Sequence, residues 1–112
     1  MARFAIKTFL FDVSDSATVS SSHPVESYKV FGLQMPAAFT GTAITFQAAE
    51  NQNGTFVDVF DESGSQISIT VSTDRYIGLD AAALEIAAAM WIRLVSNDTE
   101  VADRTVLMHM KE

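Results

Sequence analysis

Four groupings in this 112-residue chain carry side chains capable of chemistry. Ser20, Ser21 and Ser22 run into His23, which sets hydroxyls beside an imidazole. A nucleophile needs a base aimed at it and a third group to orient that base, and adjacency in sequence supplies neither. No nucleophile-elbow pattern surrounds these serines. His109 is the second histidine, and neither one sits in a ligand spacing such as His-Glu-x-x-His. The pair reads as a solvent-facing His23 in a Ser-rich stretch and a His109 that packs on a strand.

Asp58, Asp61 and Glu62 are the densest carboxylates. Paired carboxylates serve glycoside hydrolysis, and clustered oxygens bind Ca²⁺. The run Asp58-Val59-Phe60-Asp61-Glu62-Ser63-Gly64-Ser65 lacks the alternating oxygen ligands of an EF-hand loop. It reads instead as a hairpin loop, where Asp, Ser and Gly are favoured for backbone reasons. Trp91 and Arg93 lie two apart and share one face of a strand. Such a pair suits sugar stacking in a carbohydrate-binding module. The competing reading is a core aromatic with an arginine that snorkels to the rim or pairs with Asp103. A sugar platform ordinarily uses more than one ring, and this chain has one tryptophan, which favours the second reading. No catalytic residue, metal site or cofactor is therefore assigned, and the chain is not expected to be an enzyme.

Composition narrows the field further. The chain is 48% hydrophobic and 19% charged, as folded globular domains are, and its length suits a single domain over residues 1–112. There is no cysteine, which rules out disulfides and thiolate metal sites. The formal net charge is −7, and no Lys or Arg occurs between Phe46 and Asp74. Such a surface repels phosphate backbones, so no direct nucleic-acid partner is expected. No apolar run has the length of a membrane span. Near the start, Lys7 and Asp12 interrupt what would otherwise resemble an export signal, so synthesis in a cytoplasm without export is expected.

The elements that must position these residues are short strands. Residues 3–11 form a first one, rich in Phe and Ile. Residues 27–35 place Phe31, Leu33 and Met35 on one face, and Pro36 ends the strand. Residues 43–48 bring Ile44 and Phe46 together. Gln52-Asn53-Gly54 is a turn signal. In the strand Phe56 to Phe60, Asp58 turns Val57 and Val59 inward, because an unpaired buried carboxylate is costly. Residues 66–72 alternate cleanly, with Ile67, Ile69 and Val71 on one side. Asp80 caps an Ala-rich segment, residues 81–89, which has high helix propensity. Trp91 to Val95 and Arg104 to Met110 are the last strands, joined through Asn97-Asp98-Thr99. Ser14 to Pro24 reads as a surface loop or a weak edge strand. The fold class is all-β, an antiparallel β-sandwich or jelly roll with one short Ala-rich helix.

The order of these segments carries a resemblance. Val30-Phe31-Gly32-Leu33-Gln34-Met35-Pro36 leads to Ala43-Ile44-Thr45-Phe46-Gln47. Gly54 to Asp61 and Gly64 come next, followed by the Ile67 to Val71 strand and by Arg75-Tyr76-Ile77-Gly78-Leu79. Trp91 to Ser96 then precedes Ala102 to Leu107. Over about residues 17–111 this resembles small virion structural proteins of tailed bacteriophages, the sandwich or jelly-roll modules that decorate or cement a head. The resemblance implies a non-enzymatic role on the capsid surface, binding and stabilising the shell of the major capsid protein. A head-fibre base or a tail component is the alternative. It also implies a homo-oligomer, since virion sites are symmetric. Residues 1–12 are expected to be an N-terminal strand or an arm between subunits. Phe4, Ile6, Phe9 and Phe11 are the expected partner contacts. Their apolar load favours a core strand over a free arm.

Overall fold

A computed structural model of the chain describes residues 6–24, 29–78 and 91–111, and only the backbone at positions 6, 29–31 and 111. Every described element is a strand: β1 (Ile6–Val13), β2 (Val19–Pro24), β3 (Lys29–Gln34), β4 (Ala43–Ala49), β5 (Val57–Asp58), β6 (Ser68–Thr70), β7 (Tyr76–Gly78), β8 (Trp91–Ser96) and β9 (Arg104–Lys111). The Ala-rich segment expected to be helical, residues 81–89, lies outside the described residues.

The strands form one antiparallel sheet in the order β5-β4-β8-β2-β1-β9-β3-β7, with β6 also on β4. It curls on itself as a half-barrel. One half holds β7, β3, β9 and β1, and the other holds β2, β8, β4, β5 and β6. The halves join at a single register pair, Val13 with Ser20. The all-β antiparallel expectation therefore stands, while the ladder is one continuous curled sheet and not the two separate sheets of a sandwich.

Period-2 alternation decides which side of each strand goes inside. In β4 it buries Ile44, Phe46 and Ala48, and in β8 it buries Ile92 and Leu94. In β9 it buries Val106, Met108 and Met110, and in β1 Phe9, Phe11 and Val13. These side chains meet across the curl with Leu33, Met35, Val59, Ile67 and Val71 in one hydrophobic cluster. Phe11 and Phe46 are wholly enclosed, and each contributes about 3 kcal/mol by burial.

Two local expectations change. Residues 19–24 are not a loop or an edge but the interior strand β2, paired with β8 from Val19↔Val95 to Pro24↔Trp91. Serine gives little β signal, and this strand is held partly by side chains: Ser20 Oγ accepts the Leu94 N–H at 2.8 Å where the β2–β8 register shifts. In β5, Val59 turns inward as expected, but Val57 is 59% exposed because β5 is two residues long and lies at the sheet edge.

Candidate functional site

Strand β1 separates the arm question from the partner question. It pairs with β9 along its length, from Ile6↔Lys111 to Val13↔Arg104. Phe9 and Phe11 point into the core, so these two rings leave almost no surface for a partner. Phe4 and the side chain of Ile6 lie outside the described residues. What β1 does expose is its opposite face, where Leu10 is 50% accessible.

The two histidines sit on different sides of the β1 half of the sheet, His23 reaching its inner side from β2 and His109 lying on its outer face. His23 is half-buried and turned against β1, not free in solvent. Its ring stacks on Phe9 at 5.1 Å and meets Phe11 edge-on at 4.8 Å. Its Nε2 lies 2.6 Å from the Leu10 carbonyl, which makes Nε2 the protonated nitrogen. Ser21 Oγ accepts the Asp12 N–H and donates to the same Leu10 carbonyl. Side chains of β2 thus satisfy the edge of β1 where the two backbones have parted. His109 packs on the outer face, as expected of a strand histidine. Thr8 Oγ1 is 2.9 Å from its Nδ1, Gln34 Oε1 is 2.9 Å from its Nε2, and Tyr76 stacks on the ring at 5.9 Å. Tyr76 lies over Gly32, where a Cβ would come within 2.6 Å of the phenol ring. The serines stay with β1 and β8 and meet no oriented base, so the Ser-His grouping assembles no nucleophile.

Trp91 and Arg93 share the outer face of β8, both half-buried. Arg93 does not reach for Asp103. Its Nε donates to Gln47 Oε1 at 2.8 Å, its guanidinium lies 4.3 Å from the centre of the Phe56 ring, and Gln47 donates on to Asp58 at 3.0 Å. The network fastens the β5 edge to β4 and β8.

The acidic loop is a turn. Asp61 Oδ1 accepts the Ser63 hydroxyl, the Ser63 N–H and the Ser65 N–H, while Gly64 takes φ of 89°. The Ser63 hydroxyl first, and then the Ser65 N–H, hold the Asp61 carboxyl below its ordinary value. Among the described residues, no three His, Asp or Glu side chains converge as metal ligands. A depression beside β1 is lined by Asp12, Ser14, Asp103 and Arg104, but both its carboxylates already have partners: Asp12 accepts the Thr105 hydroxyl and Asp103 accepts the Asp15 N–H.

Sequence reasoning missed Glu100. Its side chain is fully buried. The carboxylate accepts the Thr40 N–H at 2.8 Å, the Gly41 N–H at 3.0 Å, the Arg104 Nε–H at 3.2 Å and the Ser96 hydroxyl at 3.4 Å. Its backbone bonds to Ser16 and Ala17. Burial alone would push this carboxyl up, but the two backbone N–H groups, Arg104 and Ser96 outweigh it and hold it below its ordinary value. Glu100 is a structural knot that ties three connecting segments together. The Glu100-x-x-x-Arg104 spacing was its only signal in the sequence.

What these sites leave for recognition is surface. Leu10, Val57, Phe60, Tyr76 and Val101 are large apolar side chains left about half or more exposed. No protein-family model matches the chain, and no curated protein does. Among solved structures the chain is similar to the crystal structure of the SPBc2 prophage-derived protein YomS. The TM-score is 0.62 at 16% identity, covering 100% of this chain and 97% of that one, so the likeness extends over the entire curled sheet.

Proposed function

We propose that this chain is a non-enzymatic structural protein of a tailed phage, one that works by binding other virion proteins. The observation that carries the reading is the end-to-end likeness of fold to a prophage-derived protein. Large apolar side chains left exposed, Leu10 on β1 and Tyr76 on β7 among them, accord with it, since exposed apolar surface is used for binding other proteins. The favoured address is the outside of the head, where the chain decorates and cements the shell of the major capsid protein. Preferential binding to assembled shell would stabilise it by mass action.

Mass spectrometry and an electron-microscopy map of purified virions test this together. The expected result is many copies of the chain per particle, with density on the capsid. Copies confined to the tail or to a head fibre would move the address and keep the class. Virions without the chain would overturn the reading.

A further inference from the structure

The turn that follows β4 and leads to β5 contains Asn51-Gln52-Asn53-Gly54. Asn51 accepts both of the hydrogen bonds that close it. Its backbone carbonyl takes the Gly54 N–H at 3.0 Å, and its Oδ1 takes the Asn53 N–H at 3.0 Å. Asn53 stands exposed between them. Its neighbour Gly54 carries no Cβ to crowd the peptide nitrogen that links the two residues.

The chain has three asparagines, and their settings differ. Asn97 is tied down by its side chain: Oδ1 accepts the Thr42 and Ala43 N–H groups at 2.8 and 3.1 Å, and Nδ2 donates to the Thr42 hydroxyl at 3.0 Å. Asn51 has its Oδ1 engaged in the turn, and the residue after it is Gln52, whose side chain crowds the following nitrogen. Asn53 alone of the three is followed by glycine.

We infer that Asn53 is a site of spontaneous deamidation through a cyclic imide, and that Asn51 governs its rate. The Gly54 nitrogen gives up its proton and attacks Asn53 Cγ. The N–Cγ bond forms, the Cγ–Nδ2 bond breaks, and ammonia leaves. Water then opens the imide at either carbonyl, which yields aspartate or isoaspartate. The net change is one water consumed, one ammonia released and one carboxyl group gained. The attacking nitrogen is also the donor that closes the turn, so its proton is lost only when the turn opens. The population of that open state sets the rate. The new carboxylate falls within the stretch from Phe46 to Asp74, which has no Lys or Arg to offset it. Isoaspartate also lengthens the backbone by one carbon shortly before β5. This chemistry concerns the chain alone and is independent of the phage reading.

Prolonged incubation of the purified full chain at mildly alkaline pH, followed by peptide mapping with tandem mass spectrometry, tests it. The expected result is a mass gain of about 1 Da located at Asn53, mostly as isoaspartate, and faster as pH rises. Asn53→Gln should abolish the gain. The chain unfolded in urea should deamidate faster than the folded chain, because nothing there holds the Gly54 N–H. Asn51→Ala should raise the folded rate about fivefold, the worth of one net hydrogen bond, and leave the unfolded rate unchanged. Circular dichroism melts show that each variant is folded. A folded chain that gains no mass, or gains it first at Asn51 or Asn97, overturns the site. Aspartate without isoaspartate overturns the imide route. A folded Asn51→Ala chain that reacts at the wild-type rate overturns the control by Asn51.

Discussion

The carboxylate of Glu100 accepts the backbone N–H of Gly41 at 3.0 Å, across 59 residues of sequence. The approach depends on glycine. A Cβ at position 41 would run into Ser96 Oγ and lie 3.0 Å from the Phe39 ring. Gly41→Ala is therefore expected to destabilise the fold by about 2 kcal/mol through overpacking. Glu100→Ala is expected to cost about 3 kcal/mol, because it strands two backbone donors and Arg104 beside a void. Urea denaturation of both variants checks this. A Glu100→Ala midpoint equal to that of the wild type would refute the knot.

The same carboxylate sets an acid limit. Its folded pKa is lowered from the ordinary 4.5. A group lowered on folding contributes stability that is fully present above its unfolded pKa and is lost as pH falls through its folded pKa. Melting temperature is thus expected to hold level from neutrality to about pH 5 and to fall below that. Glu100→Gln should start lower and fall less steeply. A wild-type profile that matches the Glu100→Gln profile in slope would assign the acid loss to other carboxylates.

Legibility in the sequence followed burial periodicity. In Ala43–Ala49 alternation announced both the strand and its inward Ile44 and Phe46, while in Trp91–Ser96 and Arg104–Lys111 it announced the strand alone: Trp91, read as a core aromatic, lies half-buried on the outer face, and Ile92 and Leu94 go inside. It failed where something other than apolar side chains holds the strand. Val19–Pro24 belongs to the sheet through serine and histidine side chains, which carry no hydrophobic period. Arg93 was placed on its face, but its partners Gln47 and Phe56 arrive from other strands, and nothing local indicated them. Glu100 has no local signal beyond Arg104 four residues on, since the amides that accommodate it lie 59 and 60 residues away.

The seam between the halves of the sheet makes a local prediction. After Val13↔Ser20 the backbones of β1 and β2 part, and Ser21 and His23 take over. Ser21→Ala should speed hydrogen exchange at the Asp12 amide, whose acceptor it removes, with little change at Phe11 in the β1–β9 ladder. His23→Ala should cost about 1–2 kcal/mol by removing one hydrogen bond and the aromatic contacts with Phe9 and Phe11. Asp12 exchange unchanged by Ser21→Ala would mean that this side chain does not close the seam.

Arg93 offers the last test, because it separates fastening from recognition. The guanidinium covers the Phe56 ring and donates to Gln47, which in turn donates to Asp58 on β5. Strand β5 is two residues long and, among the described residues, has β4 alone as a ladder partner, so this network is a large part of what holds it. Arg93→Ala should lower global stability by about 1 kcal/mol, the size of a partly exposed cation–π contact with one hydrogen bond. It should also raise exchange at Val59, whose N–H bonds to Phe46, well above that at Leu94 in β8. Arg93→Lys keeps the charge but lacks the planar guanidinium, and it should recover less than half of the loss. Full recovery by lysine would mean that charge alone, and not stacking on Phe56, fastens the edge.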